Sequence, residues 1–443
     1  MRYCTRCLYP ENHPYGMQFN SDGLCMGCVI HEEKDKINWK LRLKKLKSII
    51  DEYKSRYGNK SFDCIIPVNG GSDSYYIVHF AKNILGMNPL LTYYNSHYNT
   101  EVGIRNLANL QTVFDCDLVT STLSPELLKK ITKHTLTKFG TIYWQVLAGN
   151  TTFPVQIAVK YKIPLIIWGV HGWSEQNGMF SHFDEAEMTE RCRKEHCLRG
   201  ISAEEIIDNK KNITRSDVQP FVYPYDNEIE KIGVRGIYLS NYLRWDSKKQ
   251  HELMIKTYGF ETAKQQRTFN TYEDVHCFHS AGLHDYMKLL RLGYSKVTDH
   301  ASREIRLNRL TREDGISLVN KYQYIIPKDI DLFCNWIDIP KKKLLLKLEK
   351  LRNPLFWKKN KKGNWRLKYP VKNYKNYFIN KVKLCNKSKC DFILTENSKY
   401  DDHNKKYLLM GRGYLDKHNY GALEDRPNNT KLTKRKWRKP SIK

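Results

Sequence analysis

The chain has 443 residues, 40% of them hydrophobic with 29 Tyr and 16 Phe, enough for two or more domains with sizeable cores. Its 75 Lys/Arg outnumber 47 Asp/Glu for a formal charge of +28, yet no apolar run reaches the roughly 18 residues of a membrane span, the strongest being Ile163 to Val170. Twelve cysteines in a chain too long for a disulfide scaffold, with no apolar signal core in the first residues, predict a reducing, cytoplasmic setting.

Cys4 and Cys7 form one Cys-x-x-Cys pair and Cys25 and Cys28 another, with turn residues Gly16, Asn20, Asp22 and Gly23 between them. Two such knuckles bring four thiolates onto one tetrahedral ion, so residues 1–36 read as a zinc ribbon. Four cysteines close the coordination sphere, which makes that zinc structural. Gly23-Leu24-Cys25-Met26-Gly27 also has the form of a glutaminase nucleophile turn, but no long strand precedes it and Cys25 is already half of the second pair.

A helix with period 3.6 over Ile37 to Tyr57 links this module to the next. Asp63–Val68 is a short apolar strand that runs into Asn69-Gly70-Gly71-Ser72-Asp73-Ser74 and a helix from Ser74 to Leu85. The glycine pair is expected to turn sharply and bring backbone N–H groups close to phosphate, with the helix N-terminus and the Ser74 hydroxyl adding to the attraction. The loop is neither a kinase-type P-loop nor a Gly-x-Gly-x-x-Gly turn. Strands at Pro89–Tyr94, Asp117–Thr120 and Pro164–Trp168 alternate with helices at Glu101–Phe114, Pro125–Phe139 and Thr152–Tyr161. That alternation predicts an α/β domain with a parallel, doubly wound sheet over residues 37–183. Ligands in such sheets lie beyond the carboxyl ends of the strands. This places Asn69–Ser74, Tyr93–Asn99 and Gly169–Glu175 around one crevice.

From 184 to 328 the pattern is mainly helical, with helices at Ser247–Tyr258, Ala281–Leu292 and Thr311–Tyr322, the last capped by Thr311. This region is read as a closing, substrate-selecting domain. Residues 329–443 form a basic, aromatic-rich extension of no assignable fold. From Asp331 onward 31 Lys/Arg face 10 Asp/Glu, whereas the first 330 residues carry 44 against 37. The charge therefore belongs to the extension and not to the enzyme-like part. Nucleic acid, an anionic membrane surface or an acidic partner can meet such a segment, while the portion after Pro427 reads as a disordered tail.

The loop resembles the Ser-Gly-Gly-x-Asp-Ser signature of the PP-loop ATP pyrophosphatases, with Asn69 in place of Ser. Cys4-Thr-Arg-Cys7, Asn99-Thr-Glu-Val-Gly-Ile-Arg-Asn106, Pro164-Leu-Ile-Ile-Trp-Gly169 and Thr298-Asp-His-Ala-Ser302 are similar, in the same order, to the N-acetyl sugar amidotransferases of bacterial surface-glycan biosynthesis. Tyr238-Leu-Ser-Asn-Tyr242 and Arg309-Leu-Thr-Arg-Glu313 extend the likeness, which spans roughly residues 1–325 and omits the basic extension. The resemblance implies that ATP adenylates the N-acetyl oxygen of an acetamido sugar or nucleotide sugar, and that ammonia then displaces AMP to give an acetamidino group. It implies Asn69, Gly70, Gly71, Ser72, Asp73, Ser74, Tyr94 and Gly169 as ATP-binding residues, with Asp73 holding Mg²⁺ or orienting the loop. Glu101, His171 and Glu175 are further catalytic candidates, and Arg105, Asn106, Asp299 and His300 are substrate-binding candidates. Glu101 and Arg105, four apart on one helix, equally suit a structural ion pair. Cys192, Cys197 and Cys277 read as core or helix cysteines. Because no glutaminase signature is present, the resemblance also implies a separate glutaminase partner that delivers ammonia. The rival readings are a PP-loop tRNA-modifying enzyme of thiolase type and a non-catalytic zinc and nucleic-acid-binding protein. A thiolase needs a persulfide-carrying cysteine or an iron–sulfur cluster in the crevice, yet no second Cys-x-x-Cys follows the loop, and Cys385 and Cys390 are spaced wider and lie in the extension.

Overall fold

The computed structural model describes residues 1–57, 61–374 and 391–395. The readings placed on Cys385, Cys390 and the tail after Pro427 therefore lie outside the described residues. Helices α1 (Met26–Lys36) and α2 (Trp39–Tyr57) lead from the cysteine module into a five-stranded sheet. Its strands are β1 (Cys64–Pro67), β2 (Pro89–Asn95), β3 (Leu118–Thr122), β4 (Leu165–Trp168) and β5 (Arg235–Tyr238), in the order β3-β2-β1-β4-β5. All four pairings are parallel. The connections are α3 (Ser72–His79) with a π-helical turn over Phe80–Ile84, α4 (Glu101–Phe114), α5 (Pro125–Lys138) and α6 (Trp144–Tyr161).

The strands alternate their side chains between two cores, which is why the sheet is covered on both faces. Cys64, Ile66, Leu91, Tyr93, Leu165, Ile167 and Ile237 pack into a cluster with residues of α2, α3, α4 and a later helix, α10. Ile65, Leu90, Ile166 and Tyr238 turn to the opposite face, against Val155, Ile157 and Ala158 of α6. The expected doubly wound parallel sheet is present.

Its extent differs from the sequence reading. The region assigned to a helical domain supplies β5, which pairs with β4 from Leu165↔Arg235 to Trp168↔Tyr238. A boundary at 183 thus cuts through the sheet. Four residues followed by a 3-10 turn carry too little periodicity to mark a strand; it is the open edge of β4 that recruits them. The predicted Thr152–Tyr161 helix starts earlier, at Trp144, with Pro154 inside it. Proline removes one ladder donor and frees the carbonyl four residues before it, here Asn150.

Beyond the sheet come α7 (Gly172–Asn177), a π-helical turn at Cys192–Cys197, α8 (Arg215–Val218), α9 (Asp226–Ile232), α10 (Ser247–Tyr258), α11 (Leu283–Leu292), α12 (Lys296–Arg306) and α13 (Arg312–Tyr322). As predicted, Thr311 caps α13, its hydroxyl accepting the Asp314 N–H.

The extension is folded up to residue 374, contrary to the reading that left it unassigned. Helices α14 (Asp329–Ile337) and α15 (Lys341–Lys350) and the hairpin β6 (Trp357–Lys359)–β7 (Trp365–Leu367) bury Phe333, Ile337, Leu344, Leu348 and Trp357. Their partners are Tyr98, Leu136 and Val146 of the sheet domain and Met287 and Leu290 of α11. High lysine content hid this packing, because the lysines occupy the solvent faces of short elements. Asp391–Thr395 returns to the body: the Ile393 N–H donates to the Tyr272 hydroxyl (2.9 Å) and the Thr395 N–H to Thr262 Oγ1 (3.0 Å). Phe333 is fully buried beneath Trp336 and His279. Phe333→Ala is expected to cost about 3–5 kcal/mol in urea denaturation; a change under 1 kcal/mol would show that the extension does not belong to the core.

Candidate nucleotide crevice and its supports

The phosphate loop leaves the carboxyl end of β1, beside the point where the chain order reverses between β1 and β4. That is where ligands bind in open parallel sheets. A crevice of about 200 Å³ opens there, with Asn69, Asp73, Ser74, Tyr94, Asn150, Pro154, Trp168 and Gly169 among its lining residues. The structure brings together Asn69, Asp73, Ser74, Tyr94 and Gly169 of the predicted nucleotide set.

The glycines act differently from expectation. Neither Gly70 nor Gly71 has a positive φ. A Cβ on Gly70 would lie 2.1 Å from the Gly103 carbonyl oxygen, and one on Gly103 would lie 2.5 Å from His276 Cα. Three backbones are therefore stacked in contact, loop on α4 on the 276 segment, and absence of a side chain is what permits it. Asn69 orders the loop: its Oδ1 accepts from the Gly71 N–H (2.9 Å) and the Ser74 hydroxyl (3.1 Å). Ser72 is buried and donates to the Tyr272 carbonyl (3.2 Å), which makes it a tether to the following domain.

Asp73 stands in the first turn of α3 and reaches the crevice. Its Oδ1 lies 2.7 Å from Nε2 of His251, a fully buried histidine of α10. His251 escaped the sequence reading because a single histidine within an amphipathic helix carries no signal. His276, also missed, adjoins Gly71, and burial holds its imidazole down at about pKa 4.

Several other candidates are committed elsewhere. Arg105 forms a bidentate pair with Glu261 (Nε to Oε1 3.2 Å, Nη2 to Oε2 2.8 Å) and stands 3.8 Å from Glu101. Asn106 clamps the Glu261 backbone in both directions, 2.8 Å each way, and contacts the Gly70 carbonyl at 3.3 Å. Both residues fasten α4 to the 261 segment and to the loop. Asp299 accepts from Tyr9 (2.9 Å) and Lys288 (2.5 Å), and His300 lies between Thr268 (2.6 Å) and Glu273 (3.2 Å). His171 caps α7 through Ser174, and its ring stands with Cys192 and His196 in a group whose ligand atoms lie within 4.8 Å of one another. Cys192 and Cys277 are buried, and Cys197 is half-buried.

Glu175 is bound by Lys34 of α1 at 2.6 and 2.8 Å. Burial opposes its ionisation, but the Lys34 charge and hydrogen bonds outweigh burial and hold the carboxyl at about pKa 2. A carboxylate kept so acidic is a poor proton acceptor near neutrality, so its placement is that of an interdomain ion pair.

Cys4, Cys7, Cys25 and Cys28 are all buried and converge. Sulfur separations of 3.8 Å (Cys4–Cys28) and 3.5 Å (Cys7–Cys25) match the roughly 3.8 Å edge of a tetrahedron with Zn–S of about 2.3 Å. Arg306 of α12 covers the cluster, its Nε 3.4 Å from Cys28 Sγ and its Nη2 3.4 Å from Cys25 Sγ. The same guanidinium donates to the carbonyls of Glu175 (2.5 Å) and Gln176 (3.0 Å). A Cβ on Gly27 would lie 2.3 Å from it. Four thiolates around a divalent ion leave two negative charges, which this cation partly offsets.

Purified protein is expected to carry one zinc per chain by elemental analysis, and Cys28→Ser to lose both the metal and thermal stability. Unchanged zinc content in that variant would contradict the four-thiolate site. The Glu175 carboxyl, lowered from 4.5 to about 2, contributes stability that is complete above the unfolded pKa and fades as pH falls toward the folded one. Lys34→Met is expected to cost on the order of 3 kcal/mol at pH 7, and the deficit relative to wild type should narrow below about pH 4.5. A deficit independent of pH would argue against this pair.

Comparison with known proteins finds a family likeness for about a quarter of the chain. Among solved structures, the chain is similar to the NH3-dependent NAD synthetase from Campylobacter jejuni subsp. jejuni NCTC 11168, at 12% identity over 44% of this chain and 92% of that one, with a TM-score of 0.26. It is also similar to the NMN synthetase from Francisella tularensis, at 11% identity over 50% of this chain and 87% of that one, with a TM-score of 0.24. No curated protein sequence matches it. Residues 266–372 match the family model for the C-terminal domain of WbpG-like LPS biosynthesis proteins. The match starts beside the phosphate-loop tether, takes in α11 to α13, and crosses position 328 to the hairpin β6–β7, so the first part of the basic extension belongs to it. Residues 266–372 are thus similar to a WbpG-like C-terminal domain, and they are joined to a parallel-sheet domain whose first strand runs into the loop Asn69–Ser74.

Proposed function

We propose that the protein is an ATP-dependent amidotransferase that converts an acetamido sugar into an acetamidino sugar for lipopolysaccharide or a related surface glycan. The observation that carries the reading is the loop Asn69–Ser74 at the switch point of the sheet, packed through Ser72 onto residues of the WbpG-like domain. The family description supplies the glycan context, and the phosphate loop supplies the need for a nucleotide.

An N-acetyl carbonyl is a weak electrophile. Its oxygen attacks the α-phosphorus of ATP, the bond to the β-phosphate breaks, and pyrophosphate leaves. Ammonia then adds to the adenylated carbon, the C–O bond breaks, and AMP departs, so that amide, ATP and ammonia become amidine, AMP and pyrophosphate. The loop's backbone donors and the N-terminus of α3 favour the departing charge. Asp73, a carboxylate that reaches the crevice, would hold Mg²⁺, which supplies neutralising charge on the phosphates when bound. His251 orients Asp73 through the 2.7 Å contact. Tyr94 and Trp168 offer apolar faces to the adenine ring, and Gly169 keeps the crevice open where Ile77 and Trp245 already approach. In this reading ammonia comes from a separate glutaminase, and exclusion of water protects the adenylated intermediate.

The test is mass spectrometry of nucleotide-linked acetamido sugars incubated with ATP, Mg²⁺ and ammonium. Exchange of O for NH lowers the mass by about one unit, whereas sulfur transfer would raise it. Asp73→Asn is expected to reduce conversion by about 10²-fold or more while zinc content and unfolding temperature stay unchanged. Full conversion by that variant would remove Asp73 from the mechanism.

A further inference from the structure

A second concave space, separate from the nucleotide crevice, is lined by residues of the sheet domain, the cysteine module and the WbpG-like region. It is a cavity of about 460 Å³ between the segment after β4, the chain around residue 199, and helices α11 and α12 of the WbpG-like domain. That size suits a sugar with an attached group. It shares two elements with the crevice: Trp144 lines it from α6, which also sends Asn150 and Pro154 to the crevice, and Trp173 lines it just beyond Gly169.

Its charge is unusual. Arg199 and Arg291 both line the cavity, and among the described residues neither has a carboxylate or hydrogen-bond partner. The acids on the wall are taken, Asp299 by Lys288 (2.5 Å) and Asp285 by Arg267 (3.0 Å). Arg291 Nη2 and the Tyr294 hydroxyl are buried without partners. Arg199 is exposed to the cavity, its guanidinium 5.5 Å from the centre of the Trp173 ring. Burial lowers the pKa of Arg291, with repulsion from Arg199 adding to it. His284, on the same wall, is depressed by burial first and then by Arg199, Lys296, Arg291 and Lys288.

Two guanidiniums that line one cavity without a carboxylate between them, one with a buried Nη2 lacking a partner, favour an anion that joins them. Guanidinium forks suit phosphate and carboxylate oxygens in bidentate geometry. The Trp144, Trp173 and Tyr294 rings on the same wall suit the apolar face of a sugar or base.

We infer that this cavity is the sugar pocket and that Arg199 and Arg291 select an anionic acetamido sugar, reading either the phosphate of a nucleotide-linked sugar or the carboxylate of an acidic one. The inference rests on the amidotransferase reading for the acetamido group, and on the cavity alone for the anion.

Calorimetric titration of the full chain tests it with three probes: UDP-N-acetylglucosamine, N-acetylneuraminic acid and neutral N-acetylglucosamine. One of the two anions should bind at least tenfold more tightly than the neutral sugar, and more weakly as salt increases. Preference for the first assigns a phosphate site, and preference for the second a carboxylate site. Arg199→Gln and Arg291→Gln should each weaken that anion at least tenfold with ATP affinity and unfolding temperature unchanged. Arg199→Lys and Arg291→Lys, which keep the charge, should recover part of the loss. Equal binding of the neutral sugar, binding of neither anion, or wild-type anion affinity in both Gln variants would overturn the inference. ATP binding is titrated on the same samples. Arginine-dependent anion binding in a protein that takes up no ATP would leave the pocket standing and remove the ATP-dependent function.

Discussion

One buried guanidinium holds the parts of this molecule in register. Arg306 contacts the thiol cluster on one side and the carbonyls of Glu175 and Gln176 on the other, with its charge over the Tyr9 ring. A guanidinium spreads five donors over a plane, so it can satisfy sulfur and oxygen acceptors together where a lysine could not. Through it α12 of the WbpG-like domain, the amino-terminal cysteine module and the segment that leaves β4 meet at one point. The Lys34–Glu175 pair lies on the same junction and ties α1 to α7 independently. The cysteine module thus works as a bracket: a small hydrophobic cluster around four thiols has little apolar area of its own, and this cation ties it to the body.

The same economy of space governs the nucleotide side. The contact of Gly70 with Gly103 and of Gly103 with His276 puts the loop, α4 and the 276 segment at backbone distance. Asn106 and the Arg105–Glu261 pair then lock that stack. Residues that looked like ligand contacts from their place beside a strand end are thus the rigid frame on which the ligand contacts stand. The crevice is thus positioned by packed backbone, with Asp73 held by a buried histidine.

The crevice and the arginine-bearing cavity share α6 and the chain after β4, an arrangement suited to a reaction between a nucleotide and a second, larger substrate. The charge of the chain has a corresponding division. The lysine-rich stretch beyond 328 places Phe333, Leu344 and Trp357 in the core and leaves its lysines to solvent, whereas the cavity is lined by two arginines far apart in sequence.

Features set by neighbours along the chain were legible directly. The two cysteine knuckles, four of the five strands, the glycine loop, the Thr311 cap and the helices at Glu101–Phe114 and Ser247–Tyr258 all express periods or spacings of a few residues. Features that depend on which distant segments meet were not. A strand of four residues becomes β5 only because β4 has an open edge; Asn106 becomes a clamp only because segment 261 lies across it. His251, Arg199, Arg291 and Arg306 acquire their meaning from partners, or from the lack of them, that chain order does not encode. Local periodicity is a property of the backbone's own repeat, but the electrostatic state of a side chain is a property of everything folded around it, and only the tertiary structure decides that.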